Sequence, residues 1–397
     1  MKKTGLFITL ILFFFATSIY IQAWSAPKRL TWNLKTSAYA SISVDSNDNI
    51  YVVWYQTLLN NTEIYLIKST DTGSTWGTLQ RLTWMAGYSK CPDITIDSTG
   101  NLYIVWYDDI SGDNEIYYKK STDSGSTWTP ATRLTWMSGS SYNPRIRADS
   151  NGYIHIVWVD NKPGHNEIYY KRSTDGGTSW TGANRLTWFP TSSLAPSLAI
   201  DPTDNLHVVW PHSVGGDMEI YYKKSTDGGQ NWITSRRLTW NKSNLWKPWI
   251  ASDIMGNLRL IWHGNPSGND EIYFRSSTDG GSSWTSPKRI TWNSGYSNSP
   301  VIIPISATSL HIVWGDDFQG NKELYYKKSS DGGASWFGLT RLTYNSGDSN
   351  FPAMAKETNT NSLHLVWQDD TPGALEIYHK KQYYPAPAAK KPGDEKR

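Results

Sequence analysis

The sequence predicts an all-β protein: a seven-bladed β-propeller of four-stranded antiparallel blades, its ring closed by the N-terminal strand. Three observations predict it. The pattern Ser-x-Asp-x-Gly-x-x-Trp begins at Ser69, Ser121, Ser173, Ser225, Ser277 and Ser329, each start 52 residues after the last. Each period holds four short runs rich in β-branched and aromatic residues, with no helical periodicity of useful length. The run "RLTW" (once "RLTY") occurs seven times against six boxes, so one outer strand stands unused at the front of the chain and one is missing at its back.

The elements follow in order. Residues 1–25 read as a signal peptide: Lys2 and Lys3 precede an apolar stretch from Leu6 to about Ile21, then small residues suited to cleavage after Ala23 or Ser25. The apolar stretch is long enough to serve as a retained membrane anchor instead. Residues 28–382 form the expected propeller. In the unit that starts at Arg81, "RLTW", "DITID", "LYIVW" and "EIYYKKS" are the four strands, separated by turn residues. A lone sheet leaves two faces bare, and radial stacking of seven copies covers both. The strand Arg29–Trp32 is expected to complete the last blade, which would remove the exposed edges. Nineteen of the 22 tryptophans fall at three repeat positions and are expected to be core. Residues 383–397, rich in Pro, Ala and charge, form an expected disordered basic tail.

The formal charge of +3 comes from the two ends, which leaves the repeats close to neutral. That excludes the electrostatic footprint of a nucleic-acid binder. Cys91 is the single cysteine, so no intramolecular disulfide is available and the aromatic core must supply the stability.

The boxes resemble the Asp-box, or BNR, repeat of sialidase-like β-propellers, over about residues 28–382. The resemblance implies that each box is a structural hairpin turn between the third and fourth strands, on the face opposite the active site. The residues argue the same way: Asp71, Asp123, Asp175, Asp227, Asp279 and Asp331 can accept hydrogen bonds from their own turns, and Gly permits positive φ. Six equivalent carboxylates on six blades cannot address one reacting bond. The family's enzymes use three arginines to grip a carboxylate, a Tyr–Glu nucleophile and an Asp acid/base, with an Arg-Ile-Pro motif early in the chain. The nearest match here is Arg145-Ile146-Arg147, in the third unit and with Arg in place of Pro. No catalytic residue is therefore carried over.

Function is expected where the repeat departs from itself, on the face opposite the boxes. The loops leading to the innermost strands vary from unit to unit. Among them, Trp246 and Trp249 replace residues that are elsewhere small or polar, and offer flat platforms for a sugar ring. Tyr142, Arg145, Arg147 and Asp93 from other units are the candidate hydrogen-bonding partners. The aspartates that follow the "VW" strands, such as Asp108, Asp160, Asp316 and Asp369, read as loop-turn residues. His155, His207, His311 and His364 share one repeat position on different blades, too far apart to hold one metal.

These readings make the chain a secreted or cell-envelope module, extracytoplasmic and non-enzymatic, that binds a glycan or an extracellular protein surface. The alternatives are a divergent sialidase-type exo-glycoside hydrolase and a structural cell-surface assembly module. No metal, cofactor or nucleic acid is expected, membrane contact only if the N-terminal segment is retained, and the protein is expected to be a monomer.

Overall fold

The computed structural model describes residues 24–384, apart from 33–34, 137, 241–242 and 267. Residues 1–23 of the expected signal segment and 385–397 of the expected tail lie outside the described residues. Twenty-eight strands form seven four-stranded antiparallel sheets. Blade one consists of Ser37–Val44, Ile50–Thr57, Thr62–Ser69 and Gln80–Arg81, running from the inner strand to the outer, and the others repeat it. Blade seven takes three strands, Ser349–Lys356, Leu363–Asp369 and Glu376–Gln382, from the end of the chain and its outer strand, Lys28–Arg29, from the beginning. Lys28 pairs with His379 and Arg29 with Tyr378, which closes the ring as the strand count requires.

The core lies between blades. Trp54, Trp106, Trp158, Trp210, Trp262, Trp314 and Trp367 lie within the second strand of each blade and are fully buried. Trp106 shows the arrangement: it packs with Leu102 and Ile104 of its own blade and with Tyr51 and Val53 of blade one. Each outer strand is then clamped by a buried ion pair. The Arg of "RLTW" bridges the Glu of "EIY" in every blade: Arg29–Glu376 and Arg237–Glu219 at 2.8 Å, Arg81–Glu63 and Arg341–Glu323 at 2.7 Å, Arg185–Glu167 at 2.6 Å, and Arg133–Glu115 and Arg289–Glu271. The Thr of the same run is buried, and in blades one to four the next backbone amide pairing is Ile64, Ile116, Ile168 or Ile220 N–H donating to its hydroxyl. The Glu of "EIY" is thus a structural residue, as its recurrence implied.

One expectation about the core is corrected. The aromatic of "RLTW" is not core: Trp32, Trp84, Trp136, Trp188, Trp240, Trp292 and Tyr344 are 64–77% exposed. The reason is local. The outer strand is paired over only two residues in six blades, and the Leu and Thr after its Arg take the inward positions, so the aromatic lies beyond the sheet.

The boxes are turns of one design on the opposite face. Ser69 Oγ donates to Asp71 Oδ1 at 2.8 Å and accepts from Gly73 N–H at 2.9 Å, while Thr75 donates to both carboxylate oxygens. These donors hold the Asp71 carboxyl down at about 2. Asp123, Asp175, Asp279 and Asp331 repeat the bonding and the shift; Asp227, held by Asn231 instead, is also lowered. At Gly229, with φ +86°, a Cβ would stand 1.9 Å from the Tyr170 hydroxyl, so the turn needs glycine for its shape and for its room.

Candidate functional site

The loops that join each outer strand to the next inner strand run across the face opposite the boxes, and they end in a repeated distortion. Tyr39, Cys91, Asn143, Ala195, Lys247, Ser299 and Phe351 all have positive φ, between 38° and 54°, and they stand 52 residues apart, one per blade. Six of the seven precede proline. In six blades the pairing register of the inner strand shifts at this point, as between Lys90 and Asp93. An extra residue in a strand leaves that residue unpaired and turns its side chain to a new direction. Holding a non-glycine residue in the left-handed region costs about 1–3 kcal/mol, and such strain collects at ligand sites. All seven line one pocket of about 460 Å³ at the mouth of the central channel.

At this left-handed position no two blades carry the same residue. Lys247 Nζ donates to Ser299 Oγ at 3.1 Å and sits 3.5 Å from the centre of the Phe351 ring. Phe351 packs on Tyr39 with ring centres 4.6 Å apart, and Tyr39 on Tyr55 at 5.9 Å. Arg145 lies 5.9 Å over the Trp249 ring, a contact from blade three to blade five. The pocket's cations are Lys90, Arg145 and Lys247, and its one carboxylate is Asp93. Burial, then the charge of Arg145, brings Lys247 down to about 7. Burial raises the Cys91 thiol, which is hydrogen-bonded to Tyr107, so this cysteine is not an activated thiolate.

The six residues singled out in the sequence separate here. Trp249, Arg145 and Asp93 line the pocket. Arg147 lines a smaller cavity beside it, with Asp93 and Trp249. Trp246 and Tyr142 line neither; Tyr142 packs against the core between blades three and four. Asp93 faces the pocket but is engaged: it accepts from Ser41 Oγ at 2.8 Å, Ile146 N–H at 3.0 Å and Arg147 Nη1 at 3.0 Å, tying blades one, two and three together. The ring of seven left-handed residues escaped the sequence reading, which followed the positions on either side of it. Its signal was present: the residue before the proline differs in every unit.

The aspartates after the "VW" strands and the repeated histidines have structural partners. Asp108 accepts from Ser89 Oγ at 2.5 Å and from Ile110 N–H at 2.8 Å, and Asp160, Asp316 and Asp369 repeat this loop-turn bonding. His155 and His207 each bridge a Tyr hydroxyl and an Asp within their own blade. Among the described residues no cluster of His, Cys, Asp or Glu is arranged to hold a metal ion, and no helix is long and apolar enough to cross a membrane.

Solved structures share this fold at low identity. An ulvan lyase of polysaccharide lyase family PL25 superposes with a TM-score of 0.65 at 12% identity, over 87% of this chain and 93% of that one. The α-L-arabinofuranosidase Arb93A from Fusarium graminearum gives 0.55 at 12% identity, over 88% and 93%. The Hadza microbial sialidase Hz136 gives 0.53 at 14% identity; the match covers 74% of this chain and spans 66% of that sialidase's length. At such identities the likeness is one of fold: the chain shares the sialidase-like β-propeller architecture. No family model and no curated protein matches the sequence.

Proposed function

We propose that the protein is an extracytoplasmic carbohydrate-binding propeller that takes an acidic sugar at the channel mouth without hydrolysing it. One observation carries the reading: a single pocket combines three cations, stacking aromatics and one carboxylate that is already bonded. Trp249 and Tyr39 present flat faces to a sugar ring, and Arg145 and Lys247 suit a carboxylate or sulfate on it. Glycoside hydrolysis ordinarily needs two carboxyl groups flanking the bond. Here the pocket supplies only Asp93, and three donors hold it against the inner strands. The solved propellers of like fold are named as a lyase, an arabinofuranosidase and a sialidase, which supports a carbohydrate ligand.

An array of acidic and neutral glycans, read beside a fluorogenic sialoside assay from pH 4 to 8, tests this. The expected result is retention of acidic glycans, lost in Arg145→Ala, with no turnover. Sialoside hydrolysis that disappears in Arg145→Ala would instead establish the glycosidase alternative.

A further inference from the structure

The six tryptophans and Tyr344 at the rim are exposed and line no part of the mouth pocket. Each aromatic lies just beyond an outer strand on the same face as the mouth and carries its own Arg over the ring, from 4.2 Å at Arg185–Trp188 to 5.9 Å at Arg133–Trp136. In three blades a Lys from the next blade also stands over it: Lys119 over Trp84, Lys171 over Trp136 and Lys327 over Trp292, at 5.4–5.7 Å. Those lysines are fixed by donating to the carbonyls of Leu82, Leu134 and Ile290. The Arg–Glu pairing uses Nη2, and Nε is bonded to the carbonyl two residues on; Nη1 takes no part in either bond. At these three junctions an exposed aromatic therefore stands with an Arg, a largely buried Lys and one buried Glu, a net positive site at the seam between two blades.

We propose that this rim binds an acidic polysaccharide, several sugar units long, along successive seams. Three features select that ligand. The aromatics are separated from one another and interleaved with charges, whereas a membrane or protein docking surface is a continuous apolar patch. Two cations against one carboxylate favour carboxylated or sulfated sugars over neutral ones. Neighbouring sheets pack roughly 10 Å apart at the core and fan outward from it, so only a polymer reaches two seams at once, and engaging a second seam raises avidity about 10²–10⁴-fold. The repetition then has a use: a periodic ligand meets a periodic surface, while the unlike residues of the mouth read one sugar.

Binding of the full chain to immobilised polygalacturonate, with dextran as the neutral polymer, tests the rim. The expected outcome is salt-sensitive binding to polygalacturonate and none to dextran. Replacing Trp84 and Trp136 together by Ala weakens it at least about tenfold, and replacing all seven rim aromatics leaves only the weak binding of a single acidic sugar at the mouth. The rim variants leave the mouth's binding of a single short acidic glycan in place, which separates this proposal from the reading of the pocket. Should the seven-fold variant fail to fold, Lys119→Gln with Lys171→Gln and Lys327→Gln decides, and weaker binding with a shallower salt dependence is expected. A folded rim variant that binds polygalacturonate as the parent does, equal binding to dextran, or lysine variants with unaltered affinity would each overturn the proposal. So would a parent chain that ignores polygalacturonate and instead binds anionic vesicles or self-associates through the rim.

Discussion

The ammonium of Lys247, in blade five, stands 3.5 Å from the centre of the Phe351 ring in blade seven, across the mouth of the channel. The contact is possible because both residues are turned inward by the same left-handed distortion, at φ 46° and 50°. It places an amine lowered to about 7 among aromatic rings, beside Arg145.

The first prediction is a pH dependence. Between about 7 and the ordinary 10.5, the unfolded chain binds a proton at Lys247 that the folded chain does not. Stability from this residue therefore rises with pH across that window and is lowest below 7. An anionic ligand draws the amine toward its charged form, so affinity for an acidic glycan is expected to strengthen as pH falls from 8 to 6. Calorimetric titration at the two pH values checks this. Lys247→Met removes the trend and melts higher than the parent at pH 6; a parent whose affinity is flat across the window would exclude a role for the amine.

The second concerns closure. Arg29, in the N-terminal strand, bridges the buried Glu376 carboxylate at 2.8 Å. Thr31 seals the same junction, since its hydroxyl accepts from Ile377 N–H at 2.9 Å. Arg29→Ala leaves Glu376 buried without its cation, which costs about 3–5 kcal/mol. Deleting 29–32 is expected to lower the melting temperature further and to promote aggregation through the bared edge. A deletion variant that melts with the parent would disprove closure by this strand.

The third separates the two irregular tryptophans. Trp249 lines the pocket under Arg145 and also packs against the cores on both sides of blade six. Trp249→Ala is expected to weaken acidic-glycan binding about tenfold and to cost about 1–3 kcal/mol of stability, less than a fully buried tryptophan. Trp246 lines no part of the pocket, and Trp246→Ala leaves affinity unchanged. Affinity and melting measured on both variants distinguish them; equal loss of affinity in the two would contradict the placement.

Blade number, strand order and closure were legible in the sequence because they follow from counting. Seven "RLTW" runs against six boxes leave one arrangement without edges, and Arg29 pairs with Tyr378 as that count requires. Side-chain direction was less legible. Alternation assigns faces only while a strand keeps its register, and the shift between Lys90 and Asp93 breaks it at the mouth. Attention therefore fell on Trp246 and Tyr142, one residue away from the ring that includes Lys247 and Asn143. Recurrence also misled at the rim: the Trp54 position is aromatic in all seven units and so is the Trp84 position, yet Trp54 is fully buried and Trp84 68% exposed. Repetition marks a position as constant without saying whether packing or a ligand uses it.

The last prediction concerns the first described residues. Trp24 bridges Gln382 and meets Tyr326 of blade six edge-on, with ring centres 5.6 Å apart. Ser25 holds Lys381 twice, donating its amide to the carbonyl at 2.7 Å and accepting the Lys381 amide at 3.0 Å. These residues lengthen the closing seam beyond the paired Lys28 and Arg29. Of the two cleavage points that the sequence allows, the one after Ala23 keeps both residues and the one after Ser25 discards them. If the segment is removed, the mature chain is therefore expected to begin at Trp24, which N-terminal sequencing of secreted protein reads directly. A chain starting at Ala26 loses half-buried indole packing, one backbone–backbone hydrogen bond and the bond from the Lys381 amide to the Ser25 hydroxyl, and is expected to be less stable by about 1–3 kcal/mol. Equal melting of chains that start at Trp24 and at Ala26 would show that the seam ends at Lys28 and that Trp24 contributes nothing to closure.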